Sequence, residues 1–324
     1  MTLPSGQLFE RIRNEWDELD ELTGSAIAPI PKTLMLELTN ACNLDCVMCQ
    51  NIRSKRKRGF MDPDLARIVL TQGRQIGMEK VALYSTGESL LHPEFVPILT
   101  MAKDLGFYTY LTTNGIPLHR ELAREIVDAG LDSIKFSIDG ADPETYRKIR
   151  GKDVFDTLIE NIKTLRRIRD ESGSSLGIYA GAVLMTVNQD QMDRFREVFS
   201  PLVDAIYFSP LVNQSGQMTE AYRTLKISDE EMDVSWKPCK MLWDRIHVSH
   251  EGFLTACCVD YELKMIYGNI HEDAMATAWN NPQMKAWRVQ HMNGDVASLP
   301  LCSACNAPYI QQIDVLEKLN LEPA

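Results

Sequence analysis

The sequence predicts an α/β protein with a parallel sheet, either open or curled into part of a barrel, followed by a small metal-stapled domain. Six β-rich runs alternate with amphipathic helical runs between residues 33 and 212. Beyond them the pattern stops, and four of the five tryptophans and five of the eight cysteines fall from Trp236 onward.

Each element has its own warrant. Leu8, Ile12, Leu19 and Leu22 sit at helical spacing in an acidic stretch, which predicts an amphipathic helix over 7–22 covering one end of the main domain. "APIPK" (28–32) breaks that pattern, so 1–31 reads as helix and lead-in. Strands are predicted at 33–39, 80–86, 108–113, 133–138, 177–185 and 205–212, within a main domain over 32–213. Helices are predicted near 63–76, 94–105, 119–129, 153–171 and 189–199, and Asp62-Pro63 supplies the N-cap and first-turn proline of the first. "NQSGQM" and the charged stretch after it predict a linker over 214–235, then a second domain over 236–312 and a tail over 313–324. In open and barrel sheets alike, ligands bind at the carboxyl ends of the parallel strands.

Composition narrows the class. The 324 residues are 44% apolar and 24% charged, as in an ordinary soluble globular protein. No signal segment and no apolar run of membrane-spanning length is visible, so no membrane association is expected and the cytoplasm is the expected compartment. Thiols stay reduced there, and eight cysteines then predict metal binding or catalysis before disulfides. A net charge of −11 argues against nucleic acid as a partner.

"ACNLDCVMCQ" (41–50) places Cys42, Cys46 and Cys49 at C-x3-C-x2-C just after the first strand. Thiolates suit iron–sulfur clusters and zinc, and three protein ligands leave one metal position open. A zinc loop, or cysteines that are merely buried, competes as long as the three thiols are taken alone.

The spacing, after the first strand of a β/α series, resembles the radical S-adenosylmethionine superfamily. The resemblance implies a partial (β/α)6 TIM barrel, a [4Fe–4S] cluster on Cys42, Cys46 and Cys49, and S-adenosylmethionine chelating the open iron. Further segments match in order. "STGESLLHPEF" (85–95) resembles the Gly-Gly-Glu segment that holds the methionine amino group; Gly87 and Glu88 match, and Thr86 replaces the first glycine. "LTTNG" (111–115), with Asn114, and "FSIDG" (136–140), with Ser137, resemble the third and fourth strand ends, with Ser137 near the ribose hydroxyls. Arg150 in "YRKIRG" matches the arginine that pairs with the methionine carboxylate, a task suited to a guanidinium fork. Met48 stands where relatives often carry an aromatic residue near the adenine. His92 reads as a structural histidine at a loop–helix junction.

The C-terminal cysteines follow a second resemblance. G-x4-C at Gly252–Cys257 and C-x2-C at Cys302–Cys305 resemble the auxiliary-cluster domains called SPASM and twitch. No cysteine follows Cys305, so the likeness is to the single-cluster, twitch-like version, which implies Cys239, Cys257, Cys302 and Cys305 as ligands of a second [4Fe–4S] cluster. A structural zinc on the same thiolates is the alternative. Cys258 is left without an iron; it either packs or donates a hydrogen atom to a substrate radical. "RSKRKR" (53–58) carries five positive charges, read as a solvated loop, a seat for substrate phosphate, or a dock for an acidic flavodoxin.

The resemblance implies reductive cleavage of S-adenosylmethionine to a 5′-deoxyadenosyl radical, with an electron donor of flavodoxin or ferredoxin type. The expected substrate is a sugar, aminocyclitol or similar polar small molecule, oxidised or epimerised. Crosslinking or epimerisation of a ribosomal peptide is the alternative. Only about thirty residues precede the first strand, which leaves little room for the leader-binding module many peptide maturases carry. A binding protein that has lost catalysis is the third possibility. No motif nominates a base; Asp260 and Tyr84 are the nearest guesses.

Overall fold

The computed structural model describes residues 22–227 and 237–307. The helix predicted over 7–22 and the tail over 313–324 lie outside the described residues, apart from Leu22, which packs against the core. Strands β1 (Thr33–Leu36), β2 (Lys80–Ala82), β3 (Tyr108–Thr113), β4 (Ser133–Ser137), β5 (Gly177–Leu184) and β6 (Ala205–Pro210) pair in sequence order, all parallel. Between them in the chain lie α1 (Pro63–Gln75), α2 (Phe95–Asp104), α3 (Arg120–Asp128), α4 (Pro143–Arg150), α5 (Phe155–Ser172) and α6 (Met192–Phe199). The result is a partial TIM barrel.

Strand alternation gives the sheet two unlike faces. Leu34, Val81, Leu111, Ile134 and Ile178 join one large apolar core with the helices, each buried side chain stabilising by about 1.5–3 kcal/mol. On β4 the intervening Lys135 and Ser137 line a cavity instead. Two predicted strands are shorter than expected: β1 stops at Leu36 and β2 at Ala82. The chain past each strand bends into loops that bring Glu37, Ser85 and Thr86 to side-chain partners.

Helix α4 was not among the predicted helices, although its signals are present. Asp142 caps Thr145 N at 2.9 Å, Pro143 starts the first turn, and Gly151 ends the helix at φ 81°. Within the expected linker the structure places α7 (Thr219–Leu225), and Gln214 reaches back to accept the Gln50 N–H at 2.8 Å.

The C-terminal part does not stand apart as a separate sheet. Strand β7 (Arg245–Val248) pairs in parallel with β1, setting Thr33 opposite Arg245 and Leu36 opposite Val248. β8 (Phe253–Thr255) and β9 (Ile266–Asn269) continue antiparallel, giving one nine-stranded sheet in the order β6-β5-β4-β3-β2-β1-β7-β8-β9. Without β7 the backbone groups on one side of β1 would be an open edge. The indole N–H groups of Trp243 and Trp279 pin the lead-in by donating to Ser25 O and Pro29 O, each at 2.8 Å. Among the described residues no helix is long and apolar enough to cross a membrane.

Candidate active site

A cavity of about 290 Å3 opens at the carboxyl ends of the parallel strands. Cys42, Cys46, Met48, Cys49, Gly87, Glu88, Asn114, Ser137 and Arg150 all line it, so the residues expected to share a site do share one. The cysteine loop is fixed to the end of α4 by Asp45 N–H to Arg150 O at 3.2 Å and Val47 N–H to Ile149 O at 2.9 Å. Each sulfur faces a donor: Asn114 Nδ2 at 3.9 Å from Cys42, Arg150 Nη1 at 3.5 Å from Cys46, and Asn51 N at 3.4 Å from Cys49. Tyr261 Oη lies 3.7 Å from Cys49 Sγ. Burial, then the nearby charges of Glu88, Cys46 and Cys49, push the Cys42 thiol up to about 12. Burial raises the Cys46 thiol as well, and thiols so disfavoured as anions become thiolates together around a cationic centre, so this three-sulfur donor set fits a metal cluster.

The second-strand loop presses against the cysteine loop. A Cβ at Gly87 would sit 2.3 Å from Thr39 O and 2.5 Å from Ala41 O, so only glycine fits, and Glu88 N donates to Ala41 O at 2.8 Å. The buried Glu88 carboxylate accepts from Thr113 Oγ1 and Asn114 N, each at 2.7 Å, and from Leu90 N at 3.1 Å. Burial raises its pKa against those bonds. Arg150 is already engaged: Nη2 pairs with Asp139 at 2.7 Å and Nε donates to Ile138 O at 3.2 Å, with Nη1 on Cys46.

Behind this site Cys239, Cys257, Cys302 and Cys305 line a second cavity of about 30 Å3, closed by apolar side chains that include Leu242, Ala256 and Met265. Four thiols around so small a space fit a thiolate-held inorganic centre. Sequence reasoning did not single out His291 and Ser215, which also line it. Cys239 N donates to His291 Nδ1 at 3.3 Å, which leaves the Nε2–H to donate to Cys302 Sγ at 3.3 Å. Cys258 lines neither cavity; its carbonyl accepts from Ser85 Oγ at 3.3 Å.

Other expected residues resolve plainly. Asp260 accepts the N–H groups of Lys264 and Met265, each at 2.8 Å, and so closes a turn, whereas Tyr84 lines the larger cavity. His92 is structural, with Nε2 2.8 Å from Met61 O. The basic run is not simply solvated. Arg56 pairs with the fully buried Glu37 at 2.7 Å and also with Glu251; Arg58 reaches Asn40 O at 2.6 Å and Asn51 O at 2.5 Å. Glu37 also meets His250 Nδ1 at 2.8 Å and accepts the hydroxyl of Thr86, the residue standing where the resemblance expects glycine.

A second buried chain starts at the cavity wall. Ser85 Oγ lies 2.6 Å from His247 Nε2, and His247 Nδ1 meets Thr255 Oγ1. Thr255 Oγ1 then reaches Cys257 O at 3.4 Å. Burial holds His247 down at about 4, so the imidazole is neutral at pH 7.

A half-barrel with three thiols in its first loop and four more in a second pocket defines a protein built around two thiol-lined inorganic sites. The chain belongs to the Radical SAM superfamily, whose profile matches residues 36–198. The profile of the SPASM iron–sulfur cluster-binding domain matches residues 239–306. A [4Fe–4S] cluster with S-adenosylmethionine, and auxiliary iron–sulfur chemistry, are thus its cofactors.

The tungsten-containing aldehyde ferredoxin oxidoreductase cofactor-modifying protein of Pyrococcus furiosus is 30% identical over 186 residues, covering 56% of this chain and 52% of that one. This chain spans about half the length of the curated relatives it matches. Among solved structures, BtrN in complex with AdoMet and 2-DOIA matches with a TM-score of 0.60 at 18% identity, over 88% of this chain and 97% of that one. Streptococcus suis SuiB bound to the precursor peptide SuiA matches at 0.66 and 14%, over 93% and 74%. At such identities the likeness is one of fold.

Proposed function

We propose that the chain is a radical SAM oxidoreductase that dehydrogenates a secondary alcohol on a sugar, aminocyclitol or similar polar small molecule. The observation that carries this reading is the chain of polar groups from Ser85 through His247 and Thr255 to the Cys257 backbone, running from the larger cavity to the smaller. The bound S-adenosylmethionine and its cluster, fed one electron by a flavodoxin- or ferredoxin-type donor, supply a 5′-deoxyadenosyl radical able to take a hydrogen atom from an unactivated carbon.

The later steps fall to the protein's own residues. Cys42, Cys46 and Cys49 would hold the first cluster, with Glu88, Asn114 and Ser137 facing its ligand. Loss of the carbon-bound hydrogen leaves an alcohol radical that must release one proton and one electron to become a carbonyl. Ser85 takes the hydroxyl proton as it passes its own to neutral His247. Cys239, Cys257, Cys302 and Cys305 would hold the acceptor of the electron. Epimerisation would require a hydrogen donor at the cavity, and Cys258, the residue nominated for it, lines neither cavity.

Anaerobic reconstitution with both clusters, a reductant and a panel of sugars and aminocyclitols tests the reading. The expected result is 5′-deoxyadenosine together with a carbonyl product in equal amount. A crosslinked or epimerised peptide formed from a peptide panel, with no sugar consumed, would transfer the chain to the peptide maturases.

A further inference from the structure

One cation of the larger cavity, Lys135, has no ion-pair partner within 4.0 Å among the described residues. On β4, Ile134 and Phe136 are fully buried on the helix side, and the strand's alternation turns Lys135 into the barrel, where it lines the cavity. Its stem passes over Gly181 of β5, where a Cβ would lie 3.5 Å from the lysine Cδ. Gly181 stands directly opposite Tyr207 of β6.

The carboxylates that share the cavity are bonded to other partners, and the Lys135 charge acts on Asp139 only from beyond ion-pair distance. Asp139 is paired with Arg150 at 2.7 Å and accepts the Val183 N–H at 2.7 Å, and Glu88 is held by Thr113, Asn114 and Leu90. Among the described residues no carboxylate pairs with Lys135 within 4.0 Å. The Tyr207 hydroxyl is also buried without a hydrogen-bond partner among them, and Tyr207 lines the same cavity. A buried hydroxyl with nothing to bond is a cost to the folded chain, and an anion arriving with the ligand removes it while pairing with the half-buried lysine.

We propose that Lys135 and Tyr207 form an anion subsite, so that the substrate carries a carboxylate or phosphate group. This rests on the reading of the cavity as a small-molecule site. It narrows the substrate class to acidic or phosphorylated polyols, with the charged end on the β4–β6 wall and the reacting carbon toward Ser85. Ser209 of β6 lines that wall and Thr112 of β3 lines the same cavity beside it, and both suit the polyol body.

The test is calorimetric binding to the anaerobically reconstituted holoenzyme saturated with S-adenosylmethionine. D-Glucuronate and D-glucose 6-phosphate serve as probes, with methyl glucoside as the neutral control. Binding of at least one anionic probe below ~1 mM, and weaker binding of the neutral one by roughly tenfold or more, is expected. Lys135→Met should lose that preference, Tyr207→Phe should reduce it, Lys135→Arg should restore it, and the affinity for S-adenosylmethionine should stay unchanged. Equal binding of the neutral sugar, no anionic probe bound at ~10 mM, or an unchanged preference in Lys135→Met overturns the subsite. So does a Lys135→Met protein whose only loss is affinity for S-adenosylmethionine, because the cofactor's own carboxylate would then be the anion. Binding needs no turnover, so a protein that binds the probes yet forms no 5′-deoxyadenosine would refute the proposed activity and leave the subsite standing.

Discussion

Arg56→Met isolates a buried charge network between the barrel and the C-terminal part. Glu37 is fully buried, and Arg56 meets both of its oxygens, at 2.7 and 3.2 Å, while His250 and Thr86 supply the other bonds. Methionine fills much the same volume but leaves a carboxylate in the interior without its cation and with three of its five hydrogen bonds. Removing one partner of such a pair costs about 3–5 kcal/mol, against about 0–1 for an exposed one. For a chain of this size that is a fall in melting temperature of roughly 4–7 °C. Circular dichroism melts of the wild type, Arg56→Met, Glu37→Leu and the double variant measure it, and the double variant should recover part of the Arg56→Met loss because the stranded charge is gone. A loss under ~1 kcal/mol in Arg56→Met, or a double variant worse than the sum of the singles, would refute the reasoning. The network also sets an acid limit. Burial alone would raise the Glu37 pKa, but bonds from His250 and Arg56 and the Arg56 charge hold it well below its ordinary 4.5. A depressed carboxylate stabilises fully above its unfolded value and loses that contribution as pH falls through the folded one. Stability should therefore stay level from pH 7 to ~5 and fall below ~4.5, more steeply in the wild type than in Glu37→Gln.

The two cavities carry three more expected outcomes. His247→Gln should leave 5′-deoxyadenosine formation intact while slowing carbonyl formation by roughly 10²-fold or more. Because the imidazole, facing Glu37, Arg56 and Arg245, is held at about 4, the wild-type product yield should not titrate between pH 8 and ~5; equal product rates in both proteins would remove His247 from the proton path. Cys258→Ala should change neither 5′-deoxyadenosine nor carbonyl yield by more than about twofold, and a lost product would restore the hydrogen-donor reading. Cys302→Ala should lower bound iron from about eight to about four atoms per chain and keep S-adenosylmethionine cleavage; iron analysis and electron paramagnetic resonance decide it, and unchanged iron would mean these thiols hold no cluster.

The features legible in the sequence share one property: each signal is local. The six parallel strands are marked by runs of β-branched and aromatic residues, and the cavity set by short segments whose residue types are chemically distinctive. The eight residues of α4 escape a periodicity argument because so short a helix completes barely two turns, although Asp142, Pro143 and Gly151 mark its ends. The polar pairs that surround the site are out of reach for a different reason. Ser85 and His247 are 162 residues apart, and Glu37 and His250 are 213 apart, so nothing near either partner in the chain names the other. Arg56 shows the limit well. In a basic run the default is solvent, and only the fold reveals that one of five charges turns inward to a buried carboxylate.

The pairing of β1 with β7 explains why those long-range pairs exist at all. β1 delivers the three-cysteine loop at its carboxyl end, and β7 runs beside it in the same direction, so His247 lies level with Met35 of β1. β8 returns antiparallel with Thr255 opposite His247, and the chain reaches Cys257 two residues later. Hydrogen-atom removal at the first site, proton acceptance at Ser85 and His247, and electron acceptance at the second site would thus lie in order along one sheet edge. A proton and an electron leaving the same radical in one direction would keep charge from building up in the cavity, which would favour oxidation over release of an open-shell product. Placing the second metal site on an independent domain would forfeit that order, since relative motion of two domains would break the bond from Ser85 to His247. The shared sheet holds that bond at 2.6 Å.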